Sequence, residues 1–539
     1  MNKINKALLY LALGIFPYAG IAQDKDTPPA NWYNLDFQKD GIMGISTEKA
    51  YEFLKSKTAK PVVVAVLDGG VDVEHEDLKE VLWVNPKEKA GSTKDNDGNG
   101  YIGDVYGWNF LGNANGENVD QDNLEVTRLI RKYEPKYISV LPSTRLSEAE
   151  RREFVAYQGM IGDYTSKMEE AQFGATNYTR LKEDIDGLIA SIGKEPKDIT
   201  KADLDKITPS NDRQKMAVRI IKKELEKDPF EKFYDSLTEG VEYYQEQVNY
   251  HLNKEFNPRT IIGDNYDDAS ERYYGNPDVK GPDAGHGTHV AGIIGAKRGN
   301  NIGIDGVANH VQIMSVRTVP NGDEHDKDVA NAIRYAVDNG ARIINMSFGK
   351  AYAYNKQTVD DAVKYAESKD VLLVHAAGND GADVDVTKNY PMKYYTDSLG
   401  SIQGEASNWI TVGATGWKQD ADLVATFSNY GYRSVDVFAP GVKINSTMPE
   451  SKYKEQQGTS MAAPVVAGLA AILRSYYPDL TAPEVKDIIL KSVTKVDQKV
   501  KVPGEGRSRK AYLDEISVSG GVVNAYEAVK LADELASKR

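Results

Sequence analysis

Val62-Val63-Val64-Ala65-Val66-Leu67-Asp68-Gly69-Gly70 is an unbroken apolar run that ends on a carboxylate and two glycines. A strand with one wet face alternates apolar and polar residues, because successive side chains point to opposite sides. A run that does not alternate and is rich in β-branched residues therefore reads as a strand covered on both faces. The same pattern returns at residues 311–316, 343–346, 371–375 and 410–412, with helical stretches such as 328–339 and 358–368 between the runs. Apolar strands alternating with helices define an α/β protein, with a parallel sheet flanked by helices on both faces. Sites in such sheets collect at the carboxyl ends of the strands, which is where Asp68 and Asn379 fall.

The rest of the chain sets the context. Its 539 residues are 40% hydrophobic, ample for a large core. Lys3 and Lys6, the apolar stretch 7–17 and Gly20-Ile21-Ala22 have the layout of a signal peptide over residues 1–22, with export to the periplasm or the medium as the expectation. The apolar stretch is too short for a membrane anchor and carries Gly14 and Pro17. Cleavage removes two lysines and no acid, taking the net charge from −14 to −16. So acidic a surface argues against nucleic acid or anionic membrane as a partner. There is no cysteine, so an exported chain has no disulfide to rely on, and bound metal becomes the natural stabiliser.

Residues 121–256 differ in composition, being charged and helical, and read as an insertion. A capping box at Ser147 and Glu150 opens a helix with apolar residues at Phe154, Tyr157, Ile161, Tyr164 and Met168. A second stripe runs through Tyr178, Leu181, Ile185, Leu188 and Ile192. The reading is two helices packed as an antiparallel hairpin, with a turn near Gly174.

Three motifs carry chemistry if they meet in space. Asp68 ends the first apolar run; His286-Gly287-Thr288-His289-Val290-Ala291-Gly292 places a histidine at a helix start; Gly458-Thr459-Ser460-Met461-Ala462-Ala463-Pro464 places a serine at another. A serine needs an adjacent base to become a nucleophile, and the base needs an orienting acid. Ser460, His286 and Asp68 offer these three roles. Ala376-Ala377-Gly378-Asn379 follows a buried run, and the Asn379 amide is suited to stabilise an oxyanion.

These motifs, in the order Asp, His, Ser, resemble those of the subtilases. The resemblance covers roughly residues 32–120 and 275–532, including Gly520-Gly521-Val522-Val523-Asn524-Ala525 before the last helix. It implies a serine endopeptidase acting through an acyl-enzyme on extended polypeptides, with Asp68, His286 and Ser460 as triad and Asn379 in the oxyanion hole. It also implies substrate contacts at Ser347, Phe348 and Gly349, which border the primary specificity pocket, and at Ala377 and Gly378. Residues 23–60 then begin the catalytic domain, which runs on through 61–539 and leaves no room for the usual propeptide. The insertion becomes a candidate folding aid or lid. Two departures stand out: Gly69 replaces the usual hydroxyl residue after the aspartate, and Asp68 and His286 lie 218 positions apart. A binding protein that has lost catalysis and an esterase are the competing readings. The oligomeric state is left open.

Asp95-Asn96-Asp97-Gly98-Asn99-Gly100-Tyr101 has oxygen-bearing side chains at alternate positions and a glycine at the sixth, the spacing of a calcium loop. Asp95, Asp97 and Asn99 are the candidate ligands, with Asp104 as a further carboxylate. The resemblance suggests a second calcium site from Asp77 and Asn300. His289 and His375 are read as packing residues, since no metalloprotease spacing accompanies them.

Overall fold

The computed structural model describes residues 27–539 apart from residues 90, 142, 227–228, 398–399 and 505–508. The signal segment read at residues 1–22 lies outside them. The described chain forms two compact units, one of Thr127–Phe256 and one of Pro28–Val126 with Asn257–Arg539.

The larger unit is built on a nine-stranded sheet. Its strands are β1 (Val62–Asp68), β2 (Gly107–Asn109), β3 (Val311–Arg317), β4 (Ile343–Met346), β5 (Leu372–Ala376), β6 (Trp409–Thr415), β7 (Val437–Pro440), β8 (Thr494–Lys495) and β9 (Gly521–Val522). They lie in the order β8-β9-β7-β6-β5-β4-β1-β3-β2, parallel throughout except for the β8/β9 pair. Val64 and Val66 enter one apolar cluster, while Ala65 and Leu67 enter another. This split explains the unbroken apolar run, since both faces are covered and neither tolerates a polar residue. All four have no exposed surface, and a buried valine or leucine contributes about 1.5–3 kcal/mol.

Helices α1 (Gly285–Gly295) and α4 (Thr459–Tyr476) pack in the Val64/Val66 cluster, and α2 (Asp326–Asp338) and α3 (Lys356–Ser368) in the other. Helix α4 is buried along nearly its whole length, which accounts for its run of Ala, Val and Gly. Register sets the strand ends level: Leu67 lies opposite Met346, and Met346 opposite His375. The segments that follow β1, β4 and β5 thus emerge at one edge of the sheet.

The smaller unit is helical, and one expectation fails there. Residues 148–192 form a single 45-residue helix with no turn at Gly174. The Ser147–Glu150 capping box does open it. Gly174 serves close packing instead: a Cβ there would stand 2.4 Å from ring carbons of Tyr244. Gly240, on the helix Phe230–Glu246, makes the reciprocal approach to the Tyr178 ring, also at 2.4 Å, and the two tyrosine rings are 5.2 Å apart. Glycine inside a helix costs about 1 kcal/mol relative to alanine, and at Gly174 the close approach of a separate helix accounts for it. The stripe through Tyr178, Leu181, Ile185 and Leu188 packs with Ile221, Phe230 and Leu237. The first half of the long helix meets Tyr137, whose ring lies 5.5 Å from Phe154 and 5.7 Å from Tyr157. No helix among the described residues is long and apolar enough to cross a membrane.

Candidate active site

Asp68 is the last residue of β1 and is buried. Its Oδ1 accepts from the Gly69 N–H at 2.8 Å and from His286 Nδ1 at 2.8 Å. The Gly69 carbonyl in turn accepts from Arg317 Nε at 2.8 Å, which fixes the turn after the strand. Oδ2 of Asp68 is buried and has no hydrogen-bond partner among the described residues, as a glycine at position 69 leads one to expect.

His286 sits in the first turn of α1. The helix approaches β1 closely because residue 287 is glycine: a Cβ there would lie 2.2 Å from the Gly70 carbonyl oxygen. The imidazole remains 43% exposed on its outer side. Burial of its inner edge disfavours the cation, but the Asp68 carboxylate outweighs this and raises the pKa above the ordinary imidazole value. With Nδ1 bound to Asp68, Nε2 is the nitrogen left to exchange a proton.

Ser460 lies in the first turn of α4 and is held from two sides. Its Oγ donates to the Ser347 carbonyl at 3.1 Å, and Ser347 Oγ donates to the Ser460 carbonyl at 2.9 Å. Pro464 makes the second bond available, because a residue four places on without an N–H leaves the Ser460 carbonyl without its helical donor. The structure thus joins Asp68 to His286, while the Ser460 hydroxyl is bonded to Ser347 and not to His286.

Asn379 is oriented by Thr459. The Thr459 N–H and hydroxyl both donate to Asn379 Oδ1, at 2.9 and 3.0 Å, and Thr459 Oγ1 accepts from the Gly378 N–H at 3.1 Å. A backbone N–H can only donate, so the amide oxygen must face it and Nδ2 is turned away as a donor.

Two edges border this region. Ser347 is buried, Phe348 partly so, and Gly349 exposed. The Phe348 carbonyl accepts from His375 Nε2 at 2.8 Å. Burial pulls the His375 pKa down to about 4, so the ring is neutral and acts as a fixed donor. Opposite, the Ala377 carbonyl accepts from Asn389 at 3.0 Å and from Asn429 at 2.9 Å. Asn389 also lies against the other edge, since a Cβ on Gly349 would meet its Oδ1 at 2.6 Å. His375, Ala377, Asn389, Met392, Thr411 and Ser434 line a pocket. Asn389 and Asn429 carry no motif and were not legible in the sequence. His289 is a packing residue whose Nε2 donates to the Lys454 carbonyl at 3.0 Å, its pKa lowered by burial to about 4.

Among the candidate metal ligands, Asp95 and Asp97 come together with Glu88, each offering an oxygen within 4.8 Å of the others. Glu88 had no signal in the sequence, because it lies outside the loop. Asp104 is not one of that trio; it is buried and accepts from Asn85, Asn99 and Tyr335 at 2.7–3.0 Å, and the same Asn85 and Asn99 amides also donate to Asp97. Burial pushes its pKa up to about 6. Asn99 turns its Nδ2 to Asp104 and its Oδ1 to the Tyr101 N–H. Asp77 and Asn300 meet, with Asn300 Nδ2 donating to Asp77 Oδ1 at 2.7 Å and the Ile304 N–H to Oδ2 at 3.0 Å.

A parallel sheet with an aspartate, a histidine and a helix-borne serine gathered at its strand ends defines a class of hydrolase-like folds. The model of the subtilase family matches residues 59–508, and the chain belongs to that family. A thermophilic serine proteinase of Bacillus sp. (strain AK1) is 44% identical over 191 residues, 35% of this chain and 42% of that protein. Thermitase of Thermoactinomyces vulgaris is 39% identical over 223 residues, 40% of this chain and 72% of thermitase. Subtilisin Savinase of Lederbergia lenta is 35% identical over 211 residues, 39% of this chain and 70% of that enzyme. Of the first of these relatives the chain thus spans less than half the length.

Proposed function

We propose that this protein is an exported serine endopeptidase that hydrolyses peptide bonds of extended polypeptides through an acyl-enzyme. The observation that carries this reading is the Asp68–His286 hydrogen bond of 2.8 Å, together with an Asn379 amide anchored to the residue preceding Ser460. In the reaction Ser460 Oγ turns from Ser347 toward His286 Nε2, gives up its proton there and bonds to the substrate carbonyl carbon. The oxyanion receives hydrogen bonds from Asn379 Nδ2 and from the Ser460 N–H at the start of α4. His286 then passes the proton to the leaving amine, and water releases the acyl group by the reverse sequence. Asp68 keeps the imidazole in the tautomer with Nε2 free and stabilises the imidazolium. Ser347 to Gly349 present a backbone edge, exposed at Gly349, to a substrate strand, with Ala377 and Gly378 opposite. Labelling of Ser460 by a fluorophosphonate separates this reading from a catalytically silent binding protein, and casein cleavage separates a peptidase from an esterase.

Asn379→Ala removes one oxyanion donor. A fall of about 100- to 1000-fold in kcat is expected, as for the matching change in a subtilisin, with little change in KM. An unchanged kcat would remove Asn379 from the mechanism.

The trio Glu88, Asp95 and Asp97 suits a hard cation, since it offers carboxylate oxygens only. We assign it to calcium, with a structural role. A ligand bound only by the folded state adds roughly 2.7 kcal/mol at a hundredfold excess over its Kd. Melting in calcium is therefore expected several degrees above melting in EDTA, and the gap is expected to close in Asp97→Ala. Coincident melting curves for the unaltered protein would rule the assignment out.

A further inference from the structure

Lys350 directly follows the edge Ser347-Phe348-Gly349, whose last residue is exposed, yet its side chain is only 1% exposed. Among its contacts with the described residues, its ammonium meets Glu125 Oε2 at 2.6 Å, Asp326 Oδ1 at 2.7 Å and the Glu324 carbonyl at 2.7 Å. The two carboxylates are themselves buried, at 0% and 5% exposure. They come from different elements, Glu125 opening the helix Glu125–Tyr137 and Asp326 opening α2. The backbone of Lys350 exchanges hydrogen bonds with Tyr390 at 2.9 and 2.8 Å. Asp326 Oδ2 also accepts from the Asn355 N–H at 2.6 Å, tying the chain further on to the same carboxylate.

The edge is thus fixed at intervals: Ser347 through Ser460, the Phe348 carbonyl through His375, and Lys350 through its acidic enclosure. Gly349, exposed and without a side chain of its own, hangs between the last two. A buried ion pair is a poor means of stabilising a fold, because desolvation consumes most of the attraction. Its strength lies in fixing a position: acceptors from two segments distant in sequence, Glu125 on one and Glu324 with Asp326 on the other, define one location for the ammonium.

We propose that Lys350 is a positioning residue that sets the Phe348–Gly349 backbone for pairing with the substrate strand. It touches no substrate and acts through the two residues before it. This rests on the reading of Ser347 to Gly349 as the substrate edge.

The test compares two anilide substrates that share the residue at the scissile bond, one with four acyl residues and one with a single acyl residue. Only the longer one pairs with the edge. In Lys350→Met, kcat/KM for the four-residue substrate is expected to fall about 100-fold, mainly through KM, the loss that a misplacement of about 1 Å brings. The one-residue substrate is expected to lose far less, so the ratio of the two collapses. Glu125→Gln keeps a hydrogen-bond acceptor and leaves Lys350 balanced by Asp326, so it is the milder change and is expected to fold where Lys350→Met does not. It is expected to show the same selective loss, about tenfold. Equal losses on both substrates, or no loss in a folded Glu125→Gln, overturn the proposal. An unaltered protein whose kcat/KM does not rise with acyl length sinks the substrate-edge reading and the proposal together. Normal length dependence with an unchanged ratio in the variants sinks the proposal alone.

Discussion

Ser460→Ala is expected to reduce peptide hydrolysis by a factor on the order of 10⁶ in turnover, the size that loss of the nucleophile has in a subtilisin. The neighbouring hydroxyls are already engaged: Ser347 Oγ donates to the Ser460 carbonyl and accepts from Asn345 Nδ2 at 2.9 Å, and Thr459 Oγ1 donates to Asn379 Oδ1. Folding should be almost untouched, because the bond from Ser347 goes to the backbone of residue 460 and survives the change. What is lost is one partly exposed hydroxyl bond to the Ser347 carbonyl, about 0.5–1.5 kcal/mol. The check is a casein and peptide assay beside a thermal melt. Caseinolysis at the unaltered rate in a sample free of other proteases would end the serine assignment.

Asp68→Asn is expected to cost about 10⁴ in kcat, and the geometry gives the reason. In the unaltered protein one oxygen, Oδ1, accepts from both the Gly69 N–H and His286 Nδ1, while Oδ2 is buried without a partner among the described residues. An asparagine that keeps its oxygen in place buries an NH₂ group with no acceptor, at a cost of about 1–3 kcal/mol. One that flips donates to Nδ1 and forces the proton onto Nε2, the nitrogen that must accept from Ser460. Either way the carboxylate charge is gone, and with it the influence that raises the His286 pKa. His286 acts as a base only when neutral. Activity of the unaltered protein therefore falls as pH drops through that raised pKa, and in Asp68→Asn the acid limb moves to lower pH. A kcat/KM profile against pH measures this, and an unmoved acid limb would detach Asp68 from His286.

The sheet was legible because its strands are apolar on both faces, and residues 62–67 state that without help from the rest of the chain. The candidate catalytic motifs were legible for a related reason: backbone approach at Gly287 leaves no choice of residue, so the constraint is visible in the letters. Other features depend on partners distant in sequence. Gly174 looked like a turn because its partner, Tyr244, lies on another helix. Glu88 is near, seven positions before Asp95, but it falls outside the alternate spacing of the loop, so that spacing does not announce it. Asn389, Asn429 and the enclosure of Lys350 are set by long-range contacts of ordinary residues, and local pattern cannot show these. Asp104 reads as one more loop carboxylate, and its bond to Tyr335 of α2, 231 positions further on, is not visible in the loop.

The insertion has a consequence for the entropy of the folding chain. If Thr127–Phe256 were a flexible loop of 130 residues, closing it would cost about 2 kcal/mol more than closing one of about ten residues. The unit draws its own ends together: Thr127 Oγ1 donates to the His251 carbonyl at 2.8 Å, and Arg131 Nη1 to the Phe256 carbonyl at 2.9 Å. Once those bonds form, the sheet experiences a short connection where the sequence has a long one. The 218 positions between Asp68 and His286 thus weigh on the search for the native topology far less than their number implies. A chain built this way can lengthen inside the clamp without loosening the pair of residues on either side of it.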